Sequence, residues 1–158
     1  MDTTALALVL VLGALFAIGT VVRGFGVWAR RRRLTAIAEP DRAAYDIRVR
    51  ATVAASSVLP GMRAGKSNLT SADLVLGGDR VILSSQRGLL VDVGAAHGRR
   101  LGSARCTGPG RLVLEGDVPR LSGDAAGWRM ELALDDAEGW AEALRPFVAA
   151  AQAPPPVS

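Results

Sequence analysis

Residues 45–53 read YDIRVRATV, and an apolar side chain stands at every second position of this stretch. Successive side chains of a β-strand point to opposite faces, so a period of two predicts a strand with one buried face. Tyr45, Ile47, Val49, Ala51 and Val53 form that face. Arg48 and Arg50 are expected on the opposite, solvated face, as on an edge strand.

Six further segments downstream have the short apolar runs of strands. They lie at 74–76, 81–83, 89–93, 101–106, 111–115 and 128–134. The first two flank Gly-Gly-Asp-Arg at 77–80 and are predicted to form a hairpin. A turn is predicted at 86–88, and loops are predicted at 59–68 and 117–127. The chain is therefore expected to be mainly β.

The last predicted element is an amphipathic helix. Asp135 and Glu138 have the spacing of a capping box, with Asp in place of the usual Ser or Thr. Apolar residues recur at helical spacing at Ala137, Trp140, Ala141, Leu144, Phe147 and Val148. Because Pro146 lacks a backbone N–H, we expect a kink or an early end near Arg145.

About seven short strands followed by one helix make an order that resembles the pleckstrin-homology-like (PH-like) fold. The resemblance covers residues 43–151 and rests on element order. It implies a seven-stranded bent sheet, or partly open barrel, capped at one open end by the last helix. The chain is most similar to the membrane-anchored bacterial PH-like proteins, in which one helix precedes such a domain.

The resemblance also suggests contact residues. Members that bind phosphoinositides carry basic residues in and beside the loop between the first two strands, where this chain has Arg48, Arg50, Arg63 and Lys66. The usual basic pair early in the second strand is missing, because residues 69–72 are uncharged. These four residues are therefore expected to contact acidic headgroups weakly, or a protein partner, without recognising a particular phosphoinositide.

The N-terminal stretch at 5–22, ALALVLVLGALFAIGTVV, has no charge over 18 residues. As a helix it is about 27 Å long, close to the thickness of the hydrocarbon core. We predict a transmembrane helix over 5–28, ending near Arg23 and Trp28 at the interface. A cleaved signal peptide is the alternative, but residues 1–4 lack the basic region that begins one.

Arg30, Arg31, Arg32 and Arg33 follow the apolar stretch and, with Arg23, form a basic cluster predicted to lie at the membrane surface. The positive-inside rule then places the C-terminal domain in the cytoplasm, at the inner (plasma) membrane, with residues 1–4 outside. A basic linker is expected at 29–42 and a disordered tail at 152–158. Small residues at Gly13 and Ala17 allow a weak homodimer through the transmembrane helix.

The net charge of +4 comes from the juxtamembrane arginines, because the chain after Arg33 has fourteen basic and fourteen acidic residues. A nucleic-acid role is therefore not expected. Cys106 and His97 are the only residues of their types, so neither an intrachain disulfide nor a usual zinc site is expected. The stretch at 61–67, GMRAGKS, lacks the P-loop spacing. No catalytic, cofactor-binding or metal-binding residue is predicted.

Two hypotheses on function follow. The first is a non-enzymatic interaction module, anchored in the membrane, that presents a PH-like domain at the cytoplasmic face to a protein or lipid partner. The alternative is an accessory subunit of a transporter or envelope complex that is recognised through its transmembrane helix.

Overall fold

The computed structural model describes residues 3–37, 39–56, 58–94, 100–119 and 125–152. Within them, one long apolar helix precedes a seven-stranded antiparallel half-barrel and a C-terminal helix, which confirms the predicted fold class. The elements are α1 (Thr3–Arg32), a 3₁₀ segment (Arg33–Ala36), β1 (Arg42–Val53), β2 (Asn68–Gly77), β3 (Arg80–Ser85), β4 (Gly88–Val93), β5 (Arg100–Gly108), β6 (Arg111–Pro119), β7 (Ala125–Ala133) and α2 (Ala137–Gln152).

The strands are arranged in the order β4-β3-β2-β1-β7-β6-β5, so β1 lies at the centre of the sheet. The expectation that Arg48 and Arg50 belong to an edge strand is wrong. β1 pairs with β2 on one side and, through the segment from Val49 to Val53, with β7 on the other. That second pairing joins residues about 80 positions apart, and a local pattern carries no signal for it.

The predicted alternation of β1 holds from Ile47 to Val53, whose odd-numbered residues are all buried. It fails at Tyr45, which is 53% exposed. The register of β1 against β2 shifts between Ala44 and Ile47, and Asp46 within this bulge has φ of 55°. A β-bulge adds one residue to a strand, so the strand residues that precede it, here including Tyr45, point to the opposite face from the one that strict alternation predicts.

The predicted hairpin at 77–80 and the turn at 86–88 are both present. The loop predicted at 117–127 is shorter than expected, because β6 continues to Pro119 and pairs there with Ala125 of β7. The residues between these two strands, like His97, lie outside the described part of the chain.

Helix α2 packs against β5 and β6 with the apolar face that the sequence predicts. Trp140 and Leu144 are buried in the main core, which fills the inside of the half-barrel. The N-cap is Asp136 and not Asp135, because the Gly139 N–H donates to Asp136 Oδ1 at 3.0 Å. An early end near Arg145 is wrong, since the helix continues through Pro146 to Gln152.

Candidate functional site

The window Leu10–Thr35 is long and apolar enough to cross a membrane, with a mean hydropathy of 2.0. Its apolar 18-residue window is not buried as a core helix would be, and the large side chains from Leu10 to Val22 are exposed. An exposed apolar surface of this length is stable only in an apolar environment. Length and composition therefore fit a membrane-crossing helix.

The end of this helix is docked on the sheet. Leu34 of the 3₁₀ segment packs with Val75 of β2 and Ile82 of β3 in a second apolar cluster on the outer face of the half-barrel. Earlier in the helix, Gly26 lies so close to the turn between β3 and β4 that a Cβ there would be 3.2 Å from Cδ of Gln86. Residues 29–42, expected to be a linker, therefore consist largely of ordered elements seated on the domain.

A buried ion pair lies at the centre of this junction. Arg30 is 2% exposed, and its Nε is 2.8 Å from Oδ2 of the fully buried Asp73. The Nε–H is not aligned on this oxygen, so the contact is an ion pair without a hydrogen bond. The other oxygen of Asp73 accepts a hydrogen bond of 2.7 Å from the backbone N–H of Asp46. Ser84 donates its hydroxyl to the Arg30 carbonyl at 3.3 Å.

The arginines of the predicted membrane-surface cluster do not all face solvent, because two of them contact the sheet. Arg30 faces the sheet, and Arg33 donates to the Ser85 carbonyl at 2.7 Å. Arg31 and Arg32 are exposed, and the Arg32 guanidinium lies over the Trp28 ring at 5.2 Å. Residues three or four apart share a helix face, which is why Arg30 turns inward with Arg33 while the two arginines between them turn outward. The side chain of Arg23 lies outside the described part.

Asp73 is the important residue that the sequence interpretation missed. It stands inside the apolar run Ala-Asp-Leu-Val-Leu at 72–76, and a charge in such a run needs a buried partner. The sequence therefore indicates that Asp73 has a buried basic partner, but it does not identify which of the many arginines that partner is. Arg30 is the partner because it lies on the face of the helix that is turned toward the sheet.

The four predicted contact residues fall into two places. Arg48 and Arg50 project from the exposed outer face of β1, beside a shallow open groove of about 680 Å³ that Arg111 of β6 also lines. Arg63 and Lys66 are exposed on the loop between β1 and β2. The structure thus brings Arg48 and Arg50 together with Arg111, which was not predicted.

The loop that carries Arg63 and Lys66 is held in shape by one amide. Asn68 donates from Nδ2 to the carbonyls of Arg63 and Lys66, at 3.0 and 2.9 Å, and accepts from the Arg63 N–H at 3.0 Å. A second contact closes the loop against the next turn, where Arg87 donates to the Gly61 carbonyl at 2.8 Å. Both basic side chains therefore stand on an ordered loop at the end of the sheet that is nearest to Gly26.

Three other arginines of the sheet, all in its described part, have carboxylate partners. Arg105 and Arg129 flank Glu115, at 2.7 and 2.6 Å. The Ser103 hydroxyl, followed by these two guanidinium groups, holds the pKa of Glu115 below its ordinary value. Arg80 donates two hydrogen bonds to Asp92, which raises the pKa of Arg80.

The groove arginines differ from these. Among the described residues, Arg48, Arg50 and Arg111 have neither an ion pair nor a hydrogen-bonded acceptor. Glu131 lines the same groove, but its ion pair is with Arg129, at 3.5 Å. The groove is therefore a surface of unpaired positive charge.

Within the described ranges, no group of three or more His, Cys, Asp or Glu side chains is arranged to hold a metal ion. Cys106 is half-buried, and its thiol donates to the Gly108 carbonyl at 3.2 Å. The fold and the junction together define a β half-barrel domain mounted on a single apolar helix. Comparison with protein-family models, curated proteins and solved structures gives no match.

Proposed function

We propose that this chain is a single-pass membrane protein and that its half-barrel is a non-enzymatic interaction module, presented to a protein or lipid partner at the cytoplasmic membrane face. The observation that carries the proposal is the buried Arg30–Asp73 ion pair, which joins the end of the apolar helix to the middle of the sheet. The pair fixes the domain against its anchor.

A flexible tether leaves a domain free to turn, whereas a docked helix holds one face toward the bilayer. A buried ion pair contributes little net stability to the docking of a helix, because desolvation of the two charges offsets much of their attraction. In some proteins such a pair is retained because it selects one geometry over others, and we propose that role for Arg30 and Asp73. A fixed geometry suits a domain whose task is to present a surface.

The orientation is part of the proposal. Arg23, Arg31 and Arg32 lie just beyond the uncharged stretch, and basic residues favour the cytoplasmic side of bacterial inner membranes. The order of seven strands and a capping helix supports membership in the membrane-anchored bacterial PH-like proteins. A reporter fused after Ser158 is expected to be active in the cytoplasm, and activity only outside would contradict the orientation.

A second candidate function rests on the exposed surface of α1. The large apolar side chains from Leu10 to Val22 are exposed, and apart from the neighbouring residues and backbone of the helix itself no described atom lies within 4 Å of a Cβ placed on Gly13 or Gly19. Small residues let helices approach closely in a membrane. An accessory subunit recognised through its helix, or a weak homodimer, would use this surface.

The two functions are separated by replacing residues 5–22 with an unrelated uncharged apolar sequence of the same length in the full chain. A deletion of residues 1–33 is unsuitable, because it removes Arg30 and leaves Asp73 buried without its partner. After purification of both proteins in mild detergent, the interaction module predicts the same bound partner or lipid from each. Loss of binding with the replaced helix would contradict the module and favour the accessory subunit.

A further inference from the structure

We infer that the domain binds an extended, acidic segment of a protein partner, which adds as a strand to the first half of β1 and places a carboxylate between Arg48 and Arg111. The inference deepens the proposed function and rests on it, because it names the kind of partner that the interaction module binds and the way in which that partner is held. It does not depend on the position of the domain relative to the bilayer.

The sheet divides at Val49 of β1. Toward its start β1 remains paired with β2, whereas its ladder with β7 begins only at the pair Val49–Leu132. The end of β7 follows β6 instead, and the Leu134 N–H donates to the Gly110 carbonyl at 2.9 Å. Within the described part of the chain, residues 42–48 therefore have a neighbouring strand on one side only. They are the open half of β1.

The space between the diverging strands is a slot of about 530 Å³. One wall is formed by all seven residues of the open half of β1, and the other by the four consecutive residues 133–136. Because the side chains of a strand alternate between two faces, a cavity that is lined by every residue of a run follows its backbone. The slot therefore lies between two backbone edges. Such an edge accepts an extended chain through main-chain hydrogen bonds.

Side chains bridge the slot at its wide end. Arg42 forms an ion pair with Asp136, and its guanidinium lies 5.0 Å from the centre of the Trp140 ring, which also lines the slot. Since a long side chain spans the walls here, they are farther apart than the distance of about 4.8 Å between paired strands. The two members of the pair are 31% and 61% exposed, so it contributes little stability and an incoming segment can displace it.

Backbone groups of the open half of β1 point into the slot. The Ala54 N–H donates to the Gly127 carbonyl on the β7 side. Because the direction of these groups alternates along a strand, those of Arg48 point to the same side. The slot therefore begins at a residue whose backbone already faces it.

The residues before the bulge contribute in the same way. The Asp46 N–H is turned to β2, where it donates to Asp73 Oδ1. In a trans peptide the carbonyl lies opposite the N–H, so the Tyr45 carbonyl points away from β2 and into the slot. The groups of Ala43, two residues earlier in the strand, take the same direction.

The narrow end of the slot carries unpaired positive charge. Arg48 lies there and also lines the groove described above. Ala133 pairs with Arg111 and follows Leu132, the partner of Val49, so it lies between the two arginines on the outer face. With strands about 4.8 Å apart, the two arginines start about 10 Å from each other. A carboxylate above Ala133 is within reach of both guanidinium groups.

The backbone edge favours a protein segment over a lipid. A headgroup supplies an anion, but only an extended chain supplies the alternating donors and acceptors that an edge can bind. The two outer edges of the sheet are less available for this purpose. Helix α2 packs on β5, and Leu89 and Leu90 of β4 already take part in other interactions.

The test measures binding of a synthetic peptide to the full chain in mild detergent. The probe is a fluorescent eight-residue peptide of alternating valine and threonine with a glutamate at each end, so that it fits in either direction. Its control has the same side chains but N-methyl groups on every internal amide. We expect the probe to bind, and N-methylation to weaken binding at least tenfold, because main-chain hydrogen bonds are lost.

Amide hydrogen exchange locates the added strand. Saturation with the probe should slow exchange at Ala43 and Tyr45 at least tenfold, because their N–H groups gain acceptors. Exchange at Thr52, whose backbone pairs with β7 in the free protein, is the internal control and should not change. Unchanged exchange at Ala43 and Tyr45 with bound probe would overturn strand addition.

The carboxylate site is tested by Arg111→Gln, with Arg145→Gln as the matched control. Both remove one exposed arginine without an ion-pair partner among the described residues. We expect Arg111→Gln to weaken binding of the probe about fivefold and Arg145→Gln to leave it unchanged. Equal effects of the two variants would overturn the site.

Two further outcomes would contradict the inference. Equal affinity for the probe and its N-methylated control would exclude a backbone edge. Binding of phosphatidylglycerol vesicles that depends on Arg111, without binding of the probe, would assign the two arginines to a lipid. Failure of the proposed function is recognised separately, because replacement of residues 5–22 then abolishes binding of the natural partner, whereas failure of strand addition leaves that binding intact.

Discussion

Arg30 in the last turn of α1 and Asp73 in β2 form a buried ion pair, with Nε and Oδ2 2.8 Å apart. Arg30 is 2% exposed and Asp73 is fully buried. The pair joins the helix that leaves the apolar stretch to the sheet that carries every other element. It therefore couples the stability of the domain to the position of the helix.

Asp73→Ala should leave the buried Arg30 guanidinium with only its longer contact, 3.4 Å, to the exposed carboxylate of Asp46. Removing one member of a buried pair costs about 3–5 kcal/mol of unfolding free energy. Denaturant unfolding of the full chain in detergent measures this, with Asp92→Ala as the control, since the Arg80–Asp92 pair is partly exposed and is worth about 1 kcal/mol at most. Equal losses of unfolding free energy in the two variants would show that the buried Arg30–Asp73 pair contributes no more stability than the partly exposed Arg80–Asp92 pair.

Asp46 has a left-handed backbone within the β1 bulge, with φ of 55°. Glycine adopts this conformation without strain, and a β-branched residue does not. Both variants lose the 3.4 Å contact between the Asp46 carboxylate and Arg30, so we expect the backbone strain to appear as Asp46→Val being about 2 kcal/mol less stable than Asp46→Gly. Thermal unfolding of both variants checks this. A Val variant as stable as the Gly variant would mean that the bulge relaxes freely.

Gly77 allows the chain after the 3₁₀ segment to lie on β2, because a Cβ there would collide with the side chain of Ile37 and would be 3.1 Å from the Glu39 carbonyl oxygen. Gly77→Ala should lift this segment from the sheet. Hydrogen exchange at Ile37, whose N–H donates to the Leu34 carbonyl at 3.0 Å, should accelerate. Gly127→Ala, in β7 where a Cβ would be 3.9 Å from the nearest atom, is the control for a local glycine effect. Unchanged exchange at Ile37 in Gly77→Ala would count against the docking of the segment.

Glu115 has a pKa below its ordinary value, first through the Ser103 hydroxyl and then through Arg105 and Arg129. Its folded pKa is lower than its unfolded one, so its contribution to stability is complete above about 4.5 and is lost as the pH falls through the lowered value. Glu115→Gln should therefore melt below the parent at pH 7, and the difference should vanish in acid. Glu142→Gln, on the exposed face of α2, is the control for the removal of one carboxylate. A difference that persists below the lowered pKa would contradict the assignment.

Local periodicity was sufficient to predict the elements. The alternation from Ile47 to Val53 and the apolar face around Trp140 and Leu144 both reflect burial against a single core, which a short window of sequence records. The central position of β1 was not predictable, because it depends on pairing with β7. Tyr45 was misassigned because a single left-handed residue, Asp46, reversed the alternation.

The junction was harder to predict than the fold. Arg30 and Arg31 are neighbouring arginines that the sequence does not distinguish. Arg30 is buried and Arg31 is exposed because of how α1 is rotated about its axis relative to the sheet, which is formed by residues later in the chain. The groove has the same origin, since Arg48 and Arg111 meet only through the order β1-β7-β6. Residues that share a surface across strands carry no common signal in the sequence.

The most direct test of the account is the distance between the apolar helix and the domain in bilayers. Nitroxide labels at Val22→Cys and Asp79→Cys, in the full Cys106→Ser chain, report it by pulsed electron spin resonance, with labels at Asp79→Cys and Arg105→Cys as the reference within the domain. A docked helix predicts one narrow distance distribution, no broader than the reference, that widens when Asp73→Ala is added. A broad distribution in the parent chain would show a flexible tether and would contradict the fixed geometry on which the proposed function rests.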